Sequence, residues 1–259
     1  MTGFSYSCST FIGKRKTNQD NLLVDGEAPF SFEKINFSDT GVCPAAEIHL
    51  FAVCDGIGGL GDSADISRKT VELLRSEARN IPQDADLAGW ICDALEKADA
   101  QAREISARTG ASGGTTATVV ALRDKECVLV NVGDSPAFVL QSDGKLHELT
   151  IRHNMESYKR MAGFEPSPGD ERILLYGVGA GEATPARSAH IARGTLNNGD
   201  ILLLCTDGVT NAFTEEELAG AILRGITAQQ ITLSAGQIEH ADNCTAIIIT
   251  FRNTDRTGV

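Results

Sequence analysis

No apolar run in the 259 residues approaches the roughly 20 that a membrane-spanning helix needs. The amino-terminal stretch MTGFSYSCSTFIGKRK lacks a basic start followed by an apolar segment and a cleavage site, so the chain reads as unexported and cytoplasmic. Cysteine pairing is missing too. The seven cysteines are odd in number, scattered and without a C-x-x-C pair, which fits reduced thiols and offers no disulfide framework. Positive charge is in deficit: 23 Lys and Arg stand against 35 Asp and Glu, for a formal charge of −12. A chain of that sign does not neutralise a phosphate backbone, so nucleic acid is not an expected partner, and neither is a membrane. The strand-helix-strand alternation of a parallel α/β fold is absent as well.

What is present are apolar, β-branched runs bounded by Gly, Asp or Asn: SCSTFI, HLFAVC, TTATVVAL, CVLVNV, AFVLQ, ILLLC and TAIIITF. They read as strands. Between the second and third, two helices are expected in succession. Residues 63–80 place Val71, Leu74 and the stem of Lys69 on one face; residues 86–109 repeat Leu87, Trp90, Ile91, Leu95, Ala98, Ala102 and Ile105 at helical spacing, with Gly110 as C-cap. A third helix is announced by the capping box Thr214-Glu215-Glu216-Glu217.

Residues 51–61, FAVCDGIGGLG, contain G-x-G-x-x-G after an apolar run, the fingerprint of a dinucleotide-binding turn. Two features argue against that use. Asp55 stands before the first glycine, where a carboxylate repels a pyrophosphate, and helix follows helix where a second strand with an acidic residue is needed. A cation is the better occupant. Asp55 is also one of five aspartates beside strand-like runs, with Asp20, Asp134, Asp207 and Asp242. Taken singly, an Asp-Gly pair is a turn. Taken together the five can converge, and two carboxylates about 4 Å apart repel by roughly 4 kcal/mol at an effective dielectric of 20. Such a cluster calls for divalent cations, and oxygen ligands without Cys or His at zinc spacing favour Mg²⁺ or Mn²⁺.

In spacing and order these segments resemble the metal-dependent serine/threonine phosphatases of the protein phosphatase 2C (PPM) family, bacterial type. Arg15-Lys16-Thr17-Asn18-Gln19-Asp20 resembles R-x-x-N-Q/E-D, and Val53-Cys54-Asp55-Gly56-Ile57-Gly58-Gly59 resembles V-x-D-G-x-G-G. Ser112-Gly113-Gly114-Thr115-Thr116, Val132-Gly133-Asp134-Ser135 and Leu204-Cys205-Thr206-Asp207-Gly208-Val209-Thr210 follow in family order, and Asp242-Asn243 closes the series. The resemblance spans nearly the whole chain. It implies an α+β fold, a four-layer α-β-β-α sandwich with two central antiparallel β-sheets flanked by helix pairs, in one catalytic domain over residues 1–259 with a flap-like segment at about 152–190. It also implies two Mn²⁺ or Mg²⁺ ions and a third, weaker one. Asp55 is then the bridging ligand, the Gly56 carbonyl a ligand of one ion, and Asp207 and Asp242 the rest of the first ion's shell. Asp20 and Gln19 act through waters, Asp134 with Asp207 matches the third-ion position, and Arg15 is the phosphate clamp.

The implied reaction is hydrolysis of phosphoserine and phosphothreonine in proteins by a hydroxide bridging two ions, opposing a serine/threonine kinase. The expected partners are phosphoprotein substrates, and the expected state is a monomer. No cysteine is followed by the C-x5-R loop of thiol phosphatases, so Cys54, Cys205 and Cys244 read as small core residues. Three positions depart from the family pattern: Ile57 where many eukaryotic relatives carry histidine, Pro136 in place of arginine after V-G-D-S, and Asn211 where a second aspartate is usual. His153 reads as a structural or surface histidine. The alternative is a regulatory phosphatase-like protein that binds with little turnover.

Overall fold

The computed structural model describes residues 2–27, 36–57 and 62–253; Gly58 and Gly59 of the glycine run lie outside them. In chain order the elements are β1 (Thr2–Phe11), β2 (Asn21–Leu23), β3 (Phe37–Pro44), β4 (Ile48–Cys54), β5 (Gly56–Ile57), α1 (Ser63–Ala78) and α2 (Leu87–Thr109). There follow β6 (Gly114–Thr115), β7 (Ala117–Arg123), β8 (Glu126–Val132), β9 (Ala137–Leu140), β10 (Leu146–Glu148), α3 (Met155–Met161) and α4 (Pro185–Ser188). The last are β11 (His190–Thr195), β12 (Ile201–Cys205), α5 (Asp207–Thr210), α6 (Glu215–Leu223), α7 (Ala228–Ala235) and β13 (Cys244–Asn253).

Two antiparallel sheets organise the molecule, in the strand orders β10-β9-β12-β13-β1-β3 and β11-β8-β7-β4-β2. The inner strands, such as β4, β7, β8, β9 and β12, are buried on both faces, which is why they read as continuous apolar runs rather than alternating ones. In β4, Phe51 and Val53 pack between the sheets against Phe4, Ile247, Ile249 and Phe251 of the other sheet, while Leu50, Ala52 and Cys54 pack beneath α1 and α2. On the far side Phe138, Leu203, Cys205, Ala246 and Ile248 form a third cluster with Leu218 and Ile222 of α6 and Ile231 of α7. The layers are therefore helix, sheet, sheet, helix, the α+β sandwich that the resemblance implied. Each fully buried Leu, Ile, Val or Phe in these clusters contributes about 1.5–3 kcal/mol of burial, which offsets the chain entropy lost on folding.

The helices match their sequence signals closely. Asp86 occupies the N-cap position of α2, and Gly110 closes that helix at φ 70°, its N–H donating to the Ser106 carbonyl. The buried face of α1 is Ile66, Ser67, Thr70, Val71 and Leu74; Lys69 stands beside it, half-exposed. Both arms of the Thr214 capping box form, with the Glu217 N–H donating to Thr214 Oγ1 at 3.2 Å and the Thr214 N–H donating to Glu217 Oε2 at 2.9 Å.

Candidate metal centre

All five aspartates stand at the same end of the two sheets. Asp20 immediately precedes β2, and Asp55 follows β4 where Asn21 pairs with Cys54, so antiparallel pairing brings these two together. Asp207 opens α5 just after β12, and Asp242 lies two residues before β13, in a strand pair where Cys205 opposes Ala246. Asp134 sits in the turn after β8. Gly56 is there because the backbone passes too close for a side chain: a Cβ would lie 2.9 Å from Gln19 Cβ. Gln19 enters the site through its main chain, which donates to Asn243 Oδ1 at 2.8 Å and accepts from Ser67 Oγ at 2.6 Å.

A frame of hydroxyls and amides holds these carboxylates, and little of it is announced by the sequence. Asp20 Oδ2 accepts from Thr206 Oγ1 at 2.9 Å and from Thr245 Oγ1 at 2.7 Å, while its Oδ1 is buried with no protein partner. Asp55 is clamped through its backbone: its N–H donates to Thr116 Oγ1, and its carbonyl accepts from the Thr116 N–H and from Thr115 Oγ1, all at 2.8–2.9 Å. Asn243 ties the loop that carries Arg15, Gln19 and Asp20, donating to the carbonyls of Ile12 and Thr17 at 2.9 and 3.0 Å. His153 is buried and structural: its Nδ1 accepts from the Gly133 N–H at 3.0 Å, and its own N–H donates to the Gly133 carbonyl. Asn211, at the departed position, donates to Asp207 Oδ2 at 3.2 Å.

The electrostatics are those of acids crowded out of water. Burial pushes Asp20 up to about 7, against the pull of the Thr245 and Thr206 hydroxyls, and Asp207 and Asp242 push in the same direction. Burial and then Asp207 raise Asp134 to about 7, against a backbone hydrogen bond and Arg152. Asp55 is held well above the usual carboxylate range by burial and by four aspartate neighbours, and Asp207 is raised by burial and by Asp242. Arg15 Nη2 donates to Asp242 Oδ2 at 2.5 Å from a half-exposed position. Burial raises the neighbouring thiols of Cys54, Cys205 and Cys244, which leaves them protonated and poor nucleophiles.

The donor set is hard oxygen, ionised carboxylate and main-chain carbonyl, which fits Mg²⁺ or Mn²⁺. The partnerless Asp20 Oδ1 points the same way, because a desolvated oxygen without a donor costs about 1–3 kcal/mol until a proton, a water or an ion satisfies it. Among the described residues no three of these carboxylates offer oxygens that all lie within 4.8 Å of one another, so the acids are gathered at this end without being closed round a single ion.

Acids gathered at the end of a β-sandwich, with no ionised thiol beside them, define a site for hard cations. The chain belongs to the protein phosphatase 2C family, whose sequence pattern matches residues 38–235. It is 29% identical to protein phosphatase 1K, mitochondrial, of Xenopus laevis, over 94% of this chain and 67% of that protein. It is 25% identical to probable protein phosphatase 2C 9 of Arabidopsis thaliana, over 89% and 87%. In fold it is similar to the S. agalactiae serine/threonine phosphatase, with a TM-score of 0.80 at 22% identity over 95% of this chain and 99% of that one. It is likewise similar to the catalytic domain of the phosphatase PstP solved with two manganese ions, with a TM-score of 0.77 at 19% identity over 98% and 100%.

Proposed function

We propose that this chain is a protein-serine/threonine phosphatase, a phosphoric monoester hydrolase that depends on Mn²⁺ or Mg²⁺, with one catalytic domain over residues 1–259. The observation that carries the reading is the set of five aspartates at one end of the sandwich, of which Asp20 and Asp134 are pushed up to about 7 and Asp55 and Asp207 are raised from the usual carboxylate range by burial and mutual repulsion. When bound there, two divalent cations supply a nucleophilic water near neutral pH and neutralise charge on the phosphoryl oxygens. Asp55 would hold both and the Gly56 carbonyl one of them, Asp207 and Asp242 would complete the first ion's shell, and Asp134 with Asp207 would offer a weaker third position. Asp20, fixed through Oδ2 by two threonine hydroxyls, presents Oδ1 to a water alongside Gln19. Arg15 binds the phosphate through paired N–H groups, a contact that a lysine does not reproduce. Ile57 supplies no acid, so the leaving alkoxide takes its proton from water.

The substrates are phosphoproteins made by a serine/threonine kinase, and the segment at about 152–190 is a flap beside the site. No helix among the described residues is long and apolar enough to cross a membrane. Hydrolysis of p-nitrophenyl phosphate and of a phosphothreonine peptide tests the reading. Both activities are expected to vanish in EDTA, to return with Mn²⁺ or Mg²⁺, and to resist thiol alkylation. Metal binding without turnover on either substrate favours the regulatory, binding-only alternative; inactivation in proportion to cysteine loss, with the metals still bound, defeats the mechanism.

A further inference from the structure

Six residues before Asp55 on the same strand, about 20 Å away at 3.3 Å per residue, a second group of metal-ligating side chains meets. Val24 and Glu27 exchange backbone hydrogen bonds across a tight turn whose first central residue, Asp25, sits at φ 53°. Asp and Gly are the residues that such a hairpin turn selects. Asp25 Oδ1 lies against His49 Nδ1 near the start of β4, and His49 Nε2 lies against the Pro44 carbonyl at the end of β3. Cys43, beside that proline, is the third member: its Sγ, one imidazole nitrogen and one Asp25 oxygen all lie within 4.8 Å of one another. Cys43 and His49 are buried, whereas the Asp25 side chain is 35% exposed and open to solvent.

The Pro44 carbonyl can only accept, so Nε2 carries a proton and Nδ1 of the neutral ring is a lone pair facing a carboxylate oxygen. Two lone pairs at hydrogen-bond separation repel unless a positive charge lies between them. A proton is one solution. Burial opposes it, but Asp25, Cys43 and the Pro44 carbonyl together push the ring up to about 10. A metal ion is the other: Cys43 Sγ stands at ligand distance from both groups, and among the described residues its remaining hydrogen-bond contact is a long 3.8 Å one to the Phe4 carbonyl. A histidine that binds through one nitrogen while the other donates to a backbone carbonyl is the usual arrangement at a metal. Sulfur, nitrogen and one carboxylate oxygen form a zinc-type donor set, with a fourth place open to water on the exposed side.

We propose that Asp25, Cys43 and His49 form a zinc-type cation site, separate from the catalytic carboxylates, that ties the 24–27 turn and the end of β3 to the start of β4. Binding displaces two protons to solvent, one from the Cys43 thiol and one from between His49 and Asp25. Co²⁺ is the probe, because thiolate-to-cobalt charge transfer gives a near-ultraviolet band that an oxygen-only site does not. The reduced full chain, presaturated with Mg²⁺, is expected to develop this band with one equivalent of Co²⁺ and to lose it to one equivalent of Zn²⁺. The band should persist in Asp55→Asn and disappear in Cys43→Ser. Should the buried Cys43 variant fail to fold, Asp25→Asn on the solvent-facing turn serves instead, and is expected to weaken Co²⁺ binding at least tenfold with Mn²⁺-dependent hydrolysis unchanged. No band in the wild type, a band that survives Cys43→Ser, or unaltered Co²⁺ affinity in Asp25→Asn overturns the proposal. So does a ¹⁵N spectrum in which His49 remains an imidazolium with one equivalent of Zn²⁺ present.

Discussion

Asp242 and Asp134 belong to the same cluster but stand in different company. Asp242 is engaged by Arg15 and is among the neighbours that raise Asp20, Asp55 and Asp207, whereas Asp134, which also raises Asp55, is itself raised by burial and Asp207 and is partly compensated by Arg152. Asp242→Asn is therefore expected to lower Mn²⁺ affinity and turnover together by orders of magnitude, without loss of stability in the metal-free protein, since one repelling charge is gone. Asp134→Asn should reduce turnover and spare the tighter metal affinity. Calorimetric Mn²⁺ titration beside steady-state kinetics checks both, and equal loss of tight binding in the two variants contradicts this division of roles. The aspartates were legible because each stands beside a strand-like run. Their supports were not: Thr245 lies 225 positions from Asp20, and a threonine inside an apolar strand gives no local sign that its hydroxyl faces a carboxylate.

At the scale of elements, the turn after β8 shows how tightly the centre is framed. Gly133 adopts φ 110°, and a Cβ there would lie 2.6 Å from Thr116 Cβ, in the residue whose hydroxyl accepts from the Asp55 N–H. Gly133→Ala is expected to cost about 2 kcal/mol or more, or roughly 4–8 °C in Tm for a chain of this size, and to lower kcat by more than tenfold. Thermal melts with kinetics check this; a variant of unchanged Tm and kcat refutes the framing role. The strands visible in the sequence are those buried on both faces, such as β4, β7 and β13. β3 and β11 give no such signal because they are sheet edges with mostly exposed side chains. α7, absent from the expected helices, was as legible as α6: the Thr227-Gln230 capping box is the same device, and it opens a helix of nearly the same length.

For the whole molecule, the crowded acids couple stability to pH and to cations. Asp20 and Asp134 titrate near 7 in the fold, against about 3.9 in an unfolded chain, so between those values the metal-free fold holds protons that the unfolded chain has lost. Stability from these groups falls as pH rises from about 4 to about 7 and then levels. Divalent cations bind the ionised carboxylates, so Mn²⁺ is expected to raise Tm more at about pH 7.5 than at about pH 5. An equal shift at both pH values, seen by calorimetry, counts against this coupling. The pairing of β1 with β13 reaches further. It runs from Thr2 opposite Asn253 to Phe11 opposite Cys244, in the interior of the larger sheet. During synthesis β1 must wait for β13, more than 200 residues later, and contacts of such long sequence separation form slowly. Phe4 stays without Phe251, and Asp20 without Thr245, while most of the chain is being made. In ribosome-bound chains of increasing length, resistance to protease is expected only once β13 has cleared the exit tunnel, so a chain that stops short of β13 carries no assembled centre.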